Sequence, residues 1–189
     1  MAPAAVKMHK NLPKILCKLT VDFIKKFCYN PYRKKKERNF TKMIKSINFD
    51  MDGTIADFYG VENWLKYLLE KNPYPYIAAK PLVNMSIFAR FLNILQRNGY
   101  TINIISWLSK NSDEDFDAAV TDAKIKWLYK HLPSVHWDSI NIVAYGTDKS
   151  SLGNGILFDD ETPNRNIWGE NAYDVDNILG VLKNLIHEV

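Results

Sequence analysis

Residues 44–49, IKSINF, set Ile44, Ile47 and Phe49 among polar neighbours, in a run of the length that a strand takes. Three later runs share that character: TINII at 101–105, SINIVA at 139–144 and GILF at 155–158. Between them the period lengthens. Trp64, Tyr67 and Leu68 fall at i, i+3 and i+4, the spacing of a core-facing helix, and the pattern predicts helices over 61–71, 82–97, 113–131 and 174–187. Gly99 stands where a helix C′ glycine belongs, and Ser112, Asp113, Glu114 and Asp115 resemble a capping box with Asp in place of Glu. Strands alternating with helices imply an α/β protein whose mainly parallel sheet is covered on both faces.

The stretch between the first two strands is longer than a simple crossover. It holds helix 61–71, the turn-rich KNPYPY at 71–76 and helix 82–97, so part of it, about 58–84, is expected to sit as a small insert over the C-terminal edge of the sheet. That edge is where open α/β proteins keep their ligand crevice.

Ahead of the first strand the pattern differs. Leu12, Ile15, Leu16, Leu19, Phe23 and Phe27 form one helical stripe, with Lys14, Lys18 and Lys25 opposite, and RKKKER at 33–38 reads as a solvated linker. Charge sharpens the division. Residues 1–45 carry 13 Lys and Arg against Asp22 and Glu37, whereas the remaining 144 carry 12 basic and 19 acidic residues. Residues 1–43 are therefore expected to be a basic extension with an amphipathic helix, docking on its own domain or touching a polyanion or an anionic membrane surface. The domain proper is expected over 44–189, and Met43 could itself be a translation start.

At 47% hydrophobic content the chain can bury a substantial core, and no window approaches the roughly 20 apolar residues of a spanning helix. No secretory signal is evident, so the expected location is cytoplasmic. Cys17 and Cys28, if on one helix, lie about 16 Å apart, too far for a bridge, and read as free thiols.

The first strand ends in INFDMDGTIAD, with Asp50 and Asp52 separated by one residue and followed by Gly53 and Thr54. Two acids this close repel, which favours a bound cation or one raised pKa. The combination suits a nucleophile beside an acid/base with Mg²⁺ shielding both, although alone the string also fits a polar turn.

These residues resemble the first motif, DxDGT, of the haloacid dehalogenase (HAD) superfamily of phosphotransferases. The resemblance implies a Rossmann-like sheet whose later strand ends carry further motifs in order. Ser106 follows TINII, Lys149 stands in GTDKSS, and Asp159 and Asp160 end GILFDD. Taken singly, Ser106 reads as a cap, Lys149 as a surface charge and the aspartate pair as a turn before Pro163; their order and placement argue otherwise. DMDGTIADF, IISWLSK, KIKWLYKHLP and DKSSLGNGILFDD narrow the resemblance to the 5′(3′)-deoxyribonucleotidases and related bacterial and phage 5′-nucleotidase-like proteins. It covers 44–189; Ser150 replaces a frequent threonine, and Trp107 and Leu108 after Ser106 differ from the animal enzymes.

The resemblance implies Asp50 as the nucleophile that forms an aspartyl-phosphate, and Asp52 as acid/base with its carbonyl on the metal. It implies Ser106 and Lys149 as phosphate-binding groups, and Mg²⁺ held by Asp50, Asp52 and Asp160 with Asp159 behind. The same resemblance places Trp107 among the side chains near the phosphate. Phe58 and Tyr59 are the candidates for stacking on a base. Asp57 reads equally as helix entry to the insert or as support for the site, and the four histidines have no metal-ligand spacing. The leading expectation is a Mg²⁺-dependent phosphomonoesterase for nucleoside monophosphates, including deoxynucleotides. The alternatives are another phosphate ester, such as a sugar phosphate or a nucleic-acid 3′-phosphate end, or a HAD-scaffold binding protein tethered by its basic helix.

Overall fold

A computed structural model describes residues 45–110 and 112–189, so the readings made for residues 1–43, including both cysteines, lie outside the described residues. In chain order the elements are β1 (Ser46–Phe49), β2 (Ala56–Asp57), α1 (Trp64–Leu69), α2 (Tyr74–Ala78), β3 (Lys80–Pro81), α3 (Met85–Arg97) and β4 (Thr101–Trp107). They continue with α4 (Glu114–His131), β5 (Ser139–Val143), a 3₁₀ turn at Lys149–Ser151, β6 (Ile156–Phe158), α5 (Thr162–Trp168), β7 (Ala172–Tyr173) and α6 (Ile178–His187).

Five strands form one all-parallel sheet in the order β5-β4-β1-β6-β7, with helices flanking it in the Rossmann-like manner. The side-chain period of two decides what each face becomes. Ile47, Phe49, Ile102, Ile104 and Phe158 are fully buried against Phe88, Leu92 and Leu95 of α3, Trp127 and Leu128 of α4, and Ile178 and Leu182 of α6. Phe49 stacks on Phe158 and meets Phe88 edge-on, each at 5.1 Å between centroids. Burial of each such side chain is worth about 1.5–3 kcal/mol, so this face carries most of the stabilisation.

The opposite face mixes buried Asn48 and Asn103 with the fully buried Ile105 and Leu157. Asn48 Nδ2 donates to the carbonyls of Asn154 at 2.7 Å and Ile156 at 3.0 Å. Asn103 Nδ2 donates to Ser46 Oγ at 3.0 Å, and Ser139 Oγ donates to Asn103 Oδ1 at 2.9 Å. Among the described residues the short helix α5 reaches over it, its Trp168 lying close to Gly153 and its indole N–H donating to the Gly155 carbonyl at 2.9 Å. On this face β1 and β5 place Asn and Ser at alternate positions, while β4 places Asn103 beside the buried Ile105.

Several boundaries move. β4 runs on through Ser106 to Trp107 where the pattern ended it at 105, and the cap of α4 is Asp113 rather than Ser112, its Oδ1 accepting from the Phe116 N–H at 2.9 Å. Helix α2 occupies the stretch expected to be a turn, because Pro75 falls within its first turn, where no backbone donor is required. Pro163 starts α5 in the same way, where a turn was one expectation.

Strands β2 and β3 pair antiparallel, Ala56 opposite Pro81 and Asp57 opposite Lys80, and close the neck of the insert between them. Asp57 Oδ1 accepts from the Gly60 N–H at 3.0 Å, so the carboxylate closes the turn into the insert. The insert packs its own small core, Phe58 and Tyr76 meeting Phe116, Val120 and Ala123 of α4. Among the described residues no helix is long and apolar enough to cross a membrane.

Candidate active site

At the C-terminal end of β1 the chain leaves the sheet at Asp50, whose N–H still donates to the Phe158 carbonyl at 2.9 Å. A tight turn follows, with the N–H groups of Thr54, Ile55 and Ala56 all directed at the Met51 carbonyl. Gly53 makes that turn possible. Its φ is 76°, and an added Cβ would lie 2.4 Å from Asp160 Oδ2 and 2.8 Å from the Tyr59 ring.

The turn brings three carboxylates together: Asp50, Asp159 and Asp160 each offer an oxygen within 4.8 Å of the others. Their surroundings differ. Asp159 is fully buried and engaged: Oδ2 contacts Lys149 Nζ at 2.6 Å, Oδ1 accepts from the Glu161 N–H at 2.9 Å, and Asn164 Nδ2 reaches both oxygens at 3.2 Å. Asp160 accepts from Thr54 Oγ1 through Oδ1 at 3.1 Å, and the same hydroxyl accepts from the Asp160 N–H. Asp50 Oδ1 is buried with no hydrogen bond, 3.1 Å from Lys149 Nζ as an ion pair.

Burial pushes the Asp160 carboxyl up to about 7, with repulsion from Asp50 and Asp159 adding to it. Burial also raises Asp159, reinforced by Asp50 and partly offset by Lys149. Desolvation works to lower Lys149, but Asp50 and Asp159 outweigh it and hold the ammonium above its ordinary value. The cluster therefore has more negative charge than its one lysine neutralises. Three carboxylates with oxygens within 4.8 Å of one another, partly neutralised by one lysine, are a donor set that suits a hard divalent cation such as Mg²⁺.

Asp52 lies across from this cluster and is tied to a residue that the motif pattern did not single out. Lys124 of α4 is 1% exposed, and its ammonium has three oxygen partners: Asp52 Oδ2 at 2.7 Å, Ser106 Oγ at 2.8 Å and the Trp107 carbonyl at 2.6 Å. That uses all three donors of a lysine. Burial raises the Asp52 carboxyl, Lys124 pulls it down and Asp50 pushes it up again, a balance that keeps it above the ordinary value. Lys124 was legible in one respect. It occupies the i+4 series Phe116, Val120, Lys124, Leu128, a charge on an otherwise apolar stripe.

Asp50, Asp52, Ser106, Lys149, Asp159 and Asp160 thus converge from the ends of β1, β4 and β6 and from the 3₁₀ turn after β5, and Asp50 and Asp52 face a cavity of about 280 Å³. Phe58, Tyr59, Trp64 and Tyr76 of the insert line one side, and Trp107, Lys110 and Tyr145 the other. Of the two stacking candidates, Phe58 is only 3% exposed and packs within the insert core, while Tyr59 is 48% exposed. Trp64 and Leu68 lean on that core and also line the cavity, whereas Tyr67 pairs with Tyr74 at 4.9 Å. A larger groove of about 470 Å³ lies against Arg90, Asn93, Arg97 and His131 and is lined by no carboxylate.

No family model matches this sequence, and no curated protein matches it. Among solved structures it is similar to D,D-heptose 1,7-bisphosphate phosphatase from Burkholderia thailandensis, at 12% identity and a TM-score of 0.46, over 75% of this chain and 97% of that one. The chemistry of the site is read from this chain's own side chains.

Arg165 is a further residue that the pattern did not single out. Its Nη1 donates to the Asp159 carbonyl at 2.7 Å and its Nη2 pairs with Asp174 at 2.7 Å, pinning the backbone that carries both aspartates.

Proposed function

We propose that this protein is a HAD-type phosphomonoesterase that hydrolyses nucleoside monophosphates, deoxynucleotides included, through a phosphoryl group carried on Asp50. The observation that carries the reading is Asp50 itself: a buried carboxylate, ion-paired to Lys149 at 3.1 Å, on a residue that lines an aromatic-walled cavity. A carboxylate paired with a buried ammonium at the wall of a cavity is placed to act as a nucleophile on a phosphate ester that enters it.

In the first step the Asp50–phosphorus bond forms and the ester P–O bond breaks, with Asp52 giving its proton to the departing oxygen. In the second, a water attacks phosphorus, Asp52 takes its proton, and the Asp50–phosphorus bond breaks to release phosphate. Burial and Asp50 raising Asp52, against Lys124 lowering it, give a group able to hold either state. Lys149 offsets the charge on Asp50 and the phosphoryl oxygens, and the Ser106 hydroxyl, with Lys124 donating to its oxygen, is free to donate onward.

Mg²⁺ would be held by Asp50 and Asp160, whose Oδ2 has no protein partner among the described residues, with the Asp52 carbonyl as a third ligand. Asp159 stands behind them, its oxygens engaged by Lys149, Glu161 and Asn164. When bound, the ion supplies charge neutralisation and orients the phosphoryl group. A nucleotide is favoured because half-exposed Tyr59 offers a ring face beside the catalytic cluster, and its phenol, raised by burial and by Asp160, stays neutral. Phosphate release measured over nucleoside and sugar monophosphates, with and without Mg²⁺, tests the reading; turnover that survives Asp50→Asn removes it.

A further inference from the structure

From the reaction centre to the mouth of the cavity runs an alternating stack of cations and rings. Lys149 Nζ lies 5.0 Å from the Trp107 ring, Trp107 lies 5.0 Å from the Tyr145 ring, and Lys110 Nζ lies 5.6 Å over the outer part of that stack, on Tyr145. The stack is anchored. The Trp107 indole N–H donates to the Thr147 carbonyl at 2.9 Å, which fixes the ring that Tyr145 rests on. Tyr145 is 51% exposed, so Lys110 is held at the solvent end of the cavity wall.

The three lysines near the cavity are not equivalent. Lys149 is taken up by Asp50 and Asp159, and Lys124 by Asp52, Ser106 and Trp107. Lys110 lines the cavity with no carboxylate within ion-pair distance among the described residues, while the lining carboxylate Glu161 belongs to the aspartate side. A cation kept in place by a ring and left without a counter-charge is suited to an anion that arrives with the ligand.

We infer that Lys110 is a specificity-determining residue, and that the preferred substrates carry a second anionic group, away from the phosphate that is cleaved, which Lys110 receives at the mouth. The inference rests on the phosphatase reading of the same site. It narrows the substrate class from nucleoside monophosphates at large to phosphate esters with a second anionic group, bisphosphates among them, with Trp107 and Tyr145 covering the part of the molecule between the two anionic groups.

The test is steady-state kinetics of the full chain on two matched pairs: a nucleoside 5′-monophosphate with its 3′,5′-bisphosphate, and a hexose monophosphate with its bisphosphate. Wild type, Lys110→Met and Lys110→Glu are compared at low and high salt. A partly exposed charge contact predicts a KM about 2- to 5-fold lower for the bisphosphate of at least one pair, diminished by salt, abolished in Lys110→Met and reversed in Lys110→Glu. Equal efficiency on both members of both pairs, or a preference that survives Lys110→Met, overturns the inference and leaves the phosphatase reading standing. Hydrolysis of no ester with Mg²⁺ present removes the phosphatase reading and this one with it.

Discussion

Replacing Lys124 by Met keeps the length and volume of the side chain and removes its charge, and three oxygens lose a donor at once. Asp52 suffers most, because its carboxylate is 20% exposed and Lys124 is its only ion-pair partner among the described residues. Breaking a buried pair from one side costs about 3 kcal/mol, which for a domain of this size lowers Tm by roughly 6–12 °C. The pH dependence gives the sign. Burial already raises the Asp52 carboxyl and Lys124 restrains it, so the variant raises it further. A group whose folded pKa lies above its unfolded value favours folding below the unfolded value and loses that contribution as pH rises through the folded one. The deficit of Lys124→Met is therefore largest above neutral pH and shrinks towards pH 4, where Asp52 is protonated in the folded chain and about half protonated in the unfolded one. Urea unfolding of wild type and variant from pH 4 to pH 8.5 measures it. A deficit under about 1 kcal/mol, or one independent of pH, refutes the electrostatic account of Lys124.

Asp50→Asn is expected to cut phosphate release by roughly 1000-fold or more while leaving the Mg²⁺-free protein as stable as wild type or more so, since it removes a like charge from the cluster; thermal melts beside the assay show both. Gly53→Ala places a methyl 2.4 Å from Asp160 Oδ2 on a backbone at φ 76°, and should cost about 1–3 kcal/mol in urea unfolding and blunt any stabilisation by Mg²⁺. Without metal, Asp160, raised from 3.8 to about 7, favours folding at acid pH and withdraws that support as pH rises between those values. After allowing for its partial exposure this is roughly 2 kcal/mol, and Mg²⁺ should raise Tm more at pH 7.5 than at pH 5, as a fluorescence melt at both pH values reads out.

The sheet was legible because β1, β4 and β6 alternate between apolar side chains on the packed face and Asn or other residues on the other, and strand period survives almost any neighbour. The short elements were not. Helices α2 and α5 each span a proline, and only the tertiary setting turns that proline from a breaker into a first-turn residue. Strand β7 has two residues, paired with β6, and carries no pattern of its own. Within the site, Asp50, Asp52, Ser106, Lys149, Asp159 and Asp160 could be read in order along the chain, because strand ends in a parallel sheet share one edge. Asn164 and Arg165 could not, and Lys124 only as a charge on an apolar stripe, since each reaches its partner from inside a helix. A motif string records what lies beside a residue in sequence, whereas these contacts cross 72 positions from Lys124 to Asp52 and 5 or 6 from α5 to Asp159.

The two buried lysines also make the site its own reporter. Amine-directed acylation needs a lysine nitrogen that is uncharged and open to water, and Lys124 and Lys149, 1% and 3% exposed and ion-paired, meet neither condition in the closed domain. Their exposed neighbours Lys110 and Lys126 meet the second. In a chain labelled briefly and digested, modification at positions 124 and 149 would count only those molecules whose crevice had opened during the pulse, turning residue-level mass spectrometry into a clock for opening of this fold.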